Sequence, residues 1–212
     1  TLKREFQGWG WYQSLRHPGE RRASCRVVQD KESYFRLQIE YVEGVIPDYR
    51  KGLIENAWIL EKVVEHYCRV WPFSKGERPP LHGDLSIGNV VYGPAGGVNI
   101  IDWEYFSFNG AFWGFDVLHF LFEALWLSMK NRKLPGKGEI DIIARNIKVL
   151  NDGGRLGAEI ISHPLLSVRD FMRNNANIWN EQMELSSDKF PILNFNGFQI
   201  TAIDKIIGAG FR

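Results

Sequence analysis

The chain has little charge of one sign to spare. Its 26 lysines and arginines nearly balance 25 aspartates and glutamates, for a formal net charge of +1 over 212 residues. That balance gives no electrostatic footprint for a nucleic acid, and no nucleic-acid partner is expected. Long apolar runs are also missing. The greasiest stretch, residues 112–127, is broken by Asp116, His119 and Glu123, so no membrane span is expected. Cys25 and Cys68 are the only cysteines, which suits two buried thiols in a reducing compartment better than a disulfide framework. No leader-like segment opens the chain, and a cytoplasmic location follows as the expectation. Internal repeats and low-complexity tracts are absent as well.

What is present is ordinary globular material: 44% hydrophobic and 24% charged residues, enough for a core in one domain or in two small lobes around a cleft. Residues 2–15 read as a helix stopped by His17-Pro18-Gly19. Residues 23–28 and 34–42 read as strands of a hairpin, and Gly44 and Pro47 then break the chain. Apolar residues Leu53, Ala57, Leu60, Val64 and Tyr67 recur at helical spacing over 51–70. Residues 89–92 and 98–101 are short β-rich runs joined by a turn at 93–97. Helices are expected over 115–129, 140–150 and 166–183 and near 199–207. The fold class is therefore α+β, with a mostly helical C-terminal part.

Two segments carry chemistry. His82-Gly83-Asp84-Leu85-Ser86-Ile87-Gly88-Asn89 precedes the small hairpin, and Ile101-Asp102-Trp103-Glu104 follows it. Phosphoryl transfer needs a carboxylate to orient the acceptor hydroxyl and take its proton, and a few hard oxygen ligands for magnesium. Asp84, Asn89 and Asp102 supply that set. The turn at 93–97 would fold Asp102 back beside Asn89 across one cleft.

The joint pattern of His-Gly-Asp, Asn five positions after the Asp, then a hairpin and Ile-Asp-Trp, resembles the catalytic and metal-binding segments of the aminoglycoside phosphotransferase and choline kinase superfamily. It also looks like a variant of the paired His-Arg-Asp and Asp-Phe-Gly segments of protein kinases. The resemblance implies a protein-kinase-like fold, with residues 1–43 as a partial N-lobe holding a helix, a β-hairpin and a hinge strand. Residues 44–212 would be the C-lobe. It implies Asp84 as catalytic base, Asn89 and Asp102 as magnesium ligands, and His82 as a structural brace. ATP would be the phosphate donor, its adenine paired with the carbonyl of Glu40 and the amide of Val42 and resting on Val91 and Ile101. Glu5 matches the helix glutamate that pairs with a phosphate-binding lysine in the family.

That lysine, and a Gly-rich strand-turn-strand upstream of Glu5, are not found in the sequence. The first residue is Thr rather than Met, so truncation of the N-lobe is the expectation, with weak turnover by this chain alone. The stretch from Trp103 to Asp116 looks like the corresponding part of choline and ethanolamine kinases, where a cationic acceptor lies against aromatic faces and a carboxylate. Trp103, Glu104, Tyr105 and Trp113 are the candidates here, beside the alternative that the tryptophans belong to the core. A sugar or an aminoglycoside is a rival acceptor, the latter calling on carboxylates such as Glu123, Asp141, Asp170, Glu181 and Glu184. The expected function is ATP-dependent phosphorylation of a small-molecule hydroxyl. The alternative is a non-catalytic kinase-like binding module.

Overall fold

The computed structural model describes residues 2–16, 25–29, 35–39, 42–73, 77–94, 96–129, 132–179 and 190–211. Among them the chain is α+β and mostly helical, with two separate two-stranded antiparallel sheets. The helix α1 (Leu2–Leu15) leads to the hairpin of β1 (Cys25–Gln29) and β2 (Phe35–Ile39), paired from Cys25 against Ile39 to Gln29 against Phe35. Then come α2 (Ala57–Val70), the small hairpin of β3 (Val90–Tyr92) and β4 (Val98–Ile100), and α3 (Phe115–Met129). The helices α4 (Lys137–Leu150), α5 (Ala158–Ser162), α6 (Pro164–Asn174) and α7 (Gly197–Ala209) complete it.

Helix α3 is the hub. It is buried nearly all round, as an apolar helix without a polar face must be. It packs against α2, α4 and α6. Helices α2 and α4 instead carry one apolar stripe each, Ile59-Leu60-Val63-Val64-Tyr67 and Ile140-Ile143-Ile147-Leu150, at the i, i+3, i+4 spacing that faces a core. The expected helix over 51–70 starts six residues late. Residues 49–51 form a single 3₁₀ turn, and Asn56 donates its side-chain amide to the carbonyls of Asp48 and Gly52. An Asn that bonds nearby backbone competes with helix in this way.

The expected helix over 166–183 begins at Pro164, where proline suits the first turn, and ends at Asn174. A 3₁₀ turn, Ala176–Ile178, follows. Its start is fixed from elsewhere in the chain. Asp204 on α7 accepts the amides of Leu165 and Leu166 at 2.9 and 3.1 Å, satisfying two of the donors that a helix N-terminus leaves without partners. The short helix α5 went unread in the sequence, because five residues carry too little periodicity.

A tyrosine joins three elements near the small hairpin. Arg69 can only donate, so its guanidinium 3.2 Å from His66 Nδ1 makes that nitrogen the acceptor and leaves the proton on Nε2. His66 Nε2 then donates to the Tyr12 hydroxyl at 2.8 Å. The same oxygen accepts the Ile100 amide at 3.3 Å and donates to the Val98 carbonyl at 3.4 Å. Tyr12 thus ties α1 and α2 to β4, inside an aromatic group with Trp71 and Trp103. Tyr12→Phe leaves a buried imidazole N–H and a strand amide without their acceptor, at a cost of about 1–3 kcal/mol. A fall in thermal midpoint of several degrees is expected in calorimetry, and an unchanged midpoint would mean that the hydroxyl does not hold these elements together.

Candidate functional site

The two motif segments meet as their order in the chain demands. Strands β3 and β4 pair in register, Val90 with Ile100, Val91 with Asn99 and Tyr92 with Val98. The ladder is extended by the Ile101 amide donating to the Asn89 carbonyl at 2.9 Å, which sets Asn89 opposite Ile101 with Asp102 next in line. Asn89 reaches back to the catalytic-type loop as well: its Nδ2 donates to the Asp84 carbonyl at 2.8 Å. With that amide hydrogen engaged, Asn89 Oδ1 is the atom left to accept or to ligate. Asp102 is the one non-glycine among the described residues with positive φ, at 62°. A non-glycine residue held there stores strain of order 1–3 kcal/mol, a feature that clusters at functional sites.

The loop before Asp84 is braced on three sides. His82 is fully buried. Its Nε2 donates to the Ile101 carbonyl at 2.9 Å, so its Nδ1 is the acceptor for the Asp84 amide at 3.3 Å. Burial pulls the imidazole down to about 4, which keeps it neutral and fixes this tautomer. One histidine thereby links the Asp84 segment to the Asp102 segment. Asp116, at the start of α3, accepts the amides of His82 and Gly83, each at 3.0 Å. Burial lifts its carboxyl to about 6 against the opposing pull of these two bonds. On the third side, Trp179 donates its indole N–H to the Gly83 carbonyl at 2.8 Å. Residue 83 must be glycine: φ is +87°, and a Cβ would stand 2.7 Å from the Tyr105 carbonyl oxygen.

Two further polar groups face this loop, and the sequence marked both only as interruptions of an apolar stretch, Glu123 also as a generic acidic side chain. His119 and Glu123 lie one turn apart on α3. His119 Nδ1 donates to the Leu85 carbonyl at 3.2 Å, and burial pulls the ring down to about 4. Its Nε2 is then a bare acceptor with no partner among the described residues. Burial first, and the negative charge of Asp84 second, push the Glu123 carboxyl up to about 8. It is therefore protonated at neutral pH, and its Oε2 also lacks a partner among the described residues. Buried polar atoms left without partners are uncommon and call for an explanation. The signal in the sequence was the interruption of an apolar helix by His and Glu four residues apart, which separates this face from a plain core helix.

Glu5 lies on α1, half-buried. Burial, and after it the charges of Asp102 and Glu104, raise its carboxyl above the usual range. Glu5 thus lies within electrostatic reach of Asp102, whereas the family resemblance implies a lysine as its partner. No described cation forms an ion pair with it. No group of three His, Cys, Asp or Glu side chains among the described residues can hold a metal by itself. A metal at this site would take Asn89 Oδ1 and the Asp102 carboxylate and complete its shell with waters and phosphate oxygens, a division that suits magnesium.

The nucleotide expectations divide. Glu40 lies outside the described residues, as do Glu181 and Glu184. Val42 is half-buried against the core, Val91 is buried and Ile101 half-buried. The segment after Val42 is laid on β3 by reciprocal bonds between Val45 and Tyr92, both at 2.9 Å. Gly44 permits this approach, since a Cβ would stand 2.5 Å from the Tyr92 carbonyl oxygen and 2.6 Å from Val91 Cγ1.

Of the two readings of the tryptophans, burial favours the core over an acceptor pocket. Trp103 is fully buried, stacks on Trp71, packs on His82 and donates its indole N–H to the Ile100 carbonyl at 3.1 Å. Trp113 is buried against Tyr67 and Phe73. Both are core residues with their faces already covered. Tyr105 is buried against Phe190, and Glu104 is half-buried beside Glu5 in electrostatic reach. Asp141 is paired with Lys137 on an exposed helix face, and Asp170 stands 4.0 Å from Arg169. Cys68 is a free, half-buried thiol rather than a fully buried one.

The Glu123 carboxyl has a consequence for stability. Its folded-state value lies above the unfolded one of about 4.3. Its favourable share is therefore complete below the unfolded value and declines as the pH rises toward 8. Glu123→Gln removes the decline, so the thermal midpoint of the variant minus that of the parent is expected to grow by a few degrees from pH 5 to pH 8. A difference that does not change with pH would mean that Glu123 ionises normally. Comparison with protein-family models, curated proteins and solved structures found no match to this chain.

Proposed function

We propose that this chain carries the catalytic loop and metal-binding hairpin of a protein-kinase-like fold and serves an ATP-dependent phosphotransferase acting on a small-molecule hydroxyl. The observation that carries the reading is the convergence of Asp84, Asn89 and Asp102. They are joined by the Asn89 bond to the Asp84 carbonyl, by the Ile101–Asn89 backbone bond and by His82 between the two segments. In this reading the Asp84 carboxylate would orient the acceptor hydroxyl and take its proton as that oxygen bonds to the γ-phosphorus of ATP, while the bond from this phosphorus to the bridging oxygen breaks and ADP leaves. Magnesium held by Asn89 Oδ1 and Asp102 supplies neutralisation of phosphate charge. His82 keeps both segments in fixed relation, because transfer of this kind depends chiefly on positioning.

The α3 face adds an acceptor preference. The bare Nε2 of His119 can accept a hydrogen bond, and the protonated carboxyl of Glu123 can donate one. A neutral hydroxyl both donates and accepts, so a polyol or sugar suits this pair. A cation such as choline or an aminoglycoside amine would instead require Glu123 to ionise beside Asp84. A second reading, a non-catalytic binding module, is favoured by one observation: Glu5 faces carboxylates and no described cation pairs with it.

The test is release of ADP on a panel of sugars, polyols, choline, ethanolamine and aminoglycosides. Turnover should fall by roughly 10²- to 10⁴-fold in Asp84→Ala, without loss of the folded state by circular dichroism. Asp102→Asn should weaken magnesium-dependent ATP binding in calorimetry. Full turnover by a folded Asp84→Ala protein removes the base assignment. ATP binding without turnover on any acceptor favours the binding module.

A further inference from the structure

An open groove of about 600 Å³ runs between α2 and α4, with Asp152 and Arg155 of the loop after α4 also lining it. None of its lining residues belongs to the Asp84, Asn89 or Asp102 segments. Its volume is in the range of small-molecule sites. The lining carries four cations, Arg69, Arg145, Lys148 and Arg155, against two carboxylates, Glu65 and Asp152. In a chain whose whole formal charge is +1, an excess of two positive charges in one groove is a local concentration.

The pairing within the groove leaves this excess in place. Glu65 is drawn to Lys62 at 2.8 Å, so part of the negative charge is already engaged. Arg145 spends itself on Glu61 at 3.3 Å. Lys148 and Arg155 have no carboxylate partner among the described residues. Arg155 is moreover held in position. Its guanidinium lies over the Trp113 ring at 5.3 Å and the Phe73 ring at 5.8 Å. One of its N–H groups donates to the Cys68 carbonyl at 3.2 Å. A guanidinium fixed on aromatic faces, with further N–H groups to offer, is prepared for phosphate oxygens and loses little freedom in binding them. Lys148 adds a mobile point charge that can close on the same anion.

We propose that this groove is a second binding site, for a small ligand bearing a phosphate or pyrophosphate group, with Arg155 as its fixed anchor and Lys148 as its second cation. It does not depend on the phosphotransferase reading. Phosphate carried on a metabolite and free pyrophosphate present the same oxygens, so pyrophosphate serves as the probe, with glucose 6-phosphate as the arm that tests an attached organic group.

The experiment is calorimetric titration of the whole chain with pyrophosphate in the absence of magnesium, on the parent and on Lys148→Glu, Arg155→Gln and Asp102→Asn. Lys148 is exposed and has no bonding partner among the described residues, so Lys148→Glu remains informative even if loss of the Arg155 contacts disturbs folding. Saturable binding that weakens more than tenfold in Lys148→Glu, and stays within twofold of the parent in Asp102→Asn, is the expected result. Glucose 6-phosphate binding with the same dependence on Lys148 assigns the site to phosphorylated metabolites, and binding of pyrophosphate alone assigns it to the free anion. Absence of binding, binding indifferent to Lys148→Glu, or binding that follows Asp102→Asn overturns the proposal.

Discussion

The paired hydrogen bonds from the His82 and Gly83 amides to Asp116 are the constraint on which the site rests. A carboxylate this deeply buried would ordinarily shed its charge, and burial does lift Asp116 to about 6. The two amides oppose that lift and give the charge a place to reside. In exchange, the Asp116 side chain fixes a stretch of backbone that has no strand or helix to hold it. The bridge between Leu81 and Ser107 holds the residue before that stretch, and from this anchored backbone His82 reaches Ile101 and its Nδ1 accepts the Asp84 amide. Helix α3 provides the rigidity behind Asp116, being packed on several sides at once.

The aromatic residues support this frame rather than the ligand side of it. Trp103 sits among Trp11, Tyr12, Trp71, His82 and Phe106, joining α1 and the end of α2 to the segment that bears Asp102. Trp179 closes the opposite side through its bond to Gly83. Tryptophan serves here because it offers a large apolar body with one donor, and the indoles of Trp71, Trp103 and Trp179 each donate to a carbonyl. The tie through Tyr12 extends the same network to the small hairpin.

Local motifs and strong periodicities were legible in the sequence; non-local partners were not. The spacing of Asp84, Asn89 and Asp102 across a short hairpin is a local fact, and the register of β3 and β4 follows from the turn at 93–97. The bounds of α1 and α3 were readable from apolar pattern and breakers. Asp116 as an acceptor for amides 33 and 34 residues away was not readable, because an Asp at a helix start already has a sufficient local explanation as a cap. The tryptophans left two readings open for a related reason. Composition cannot tell an aromatic face offered to a ligand from one covered by Trp71 or Tyr67, and the difference lies in packing partners distant in the chain.

The carboxylates of the site divide into two electrostatic situations, and this division gives the cleft its chemistry. Near α3, Glu123 is buried beside Asp84, and the pair avoids a double negative charge by keeping Glu123 protonated. Near α1, Glu5, Asp102 and Glu104 repel one another across a more open region, enough to raise Glu5, yet not gathered closely enough to ligate one ion together. Coulombic influence reaches farther than a coordination bond, so these statements are compatible. The first arrangement leaves a single negative charge at Asp84. The second concentrates negative potential around Asp102, where a cation would be held. One end of the site is thus nearly neutral apart from Asp84, and the other gathers the negative charges of Glu5, Asp102 and Glu104, a difference already present before any ligand arrives.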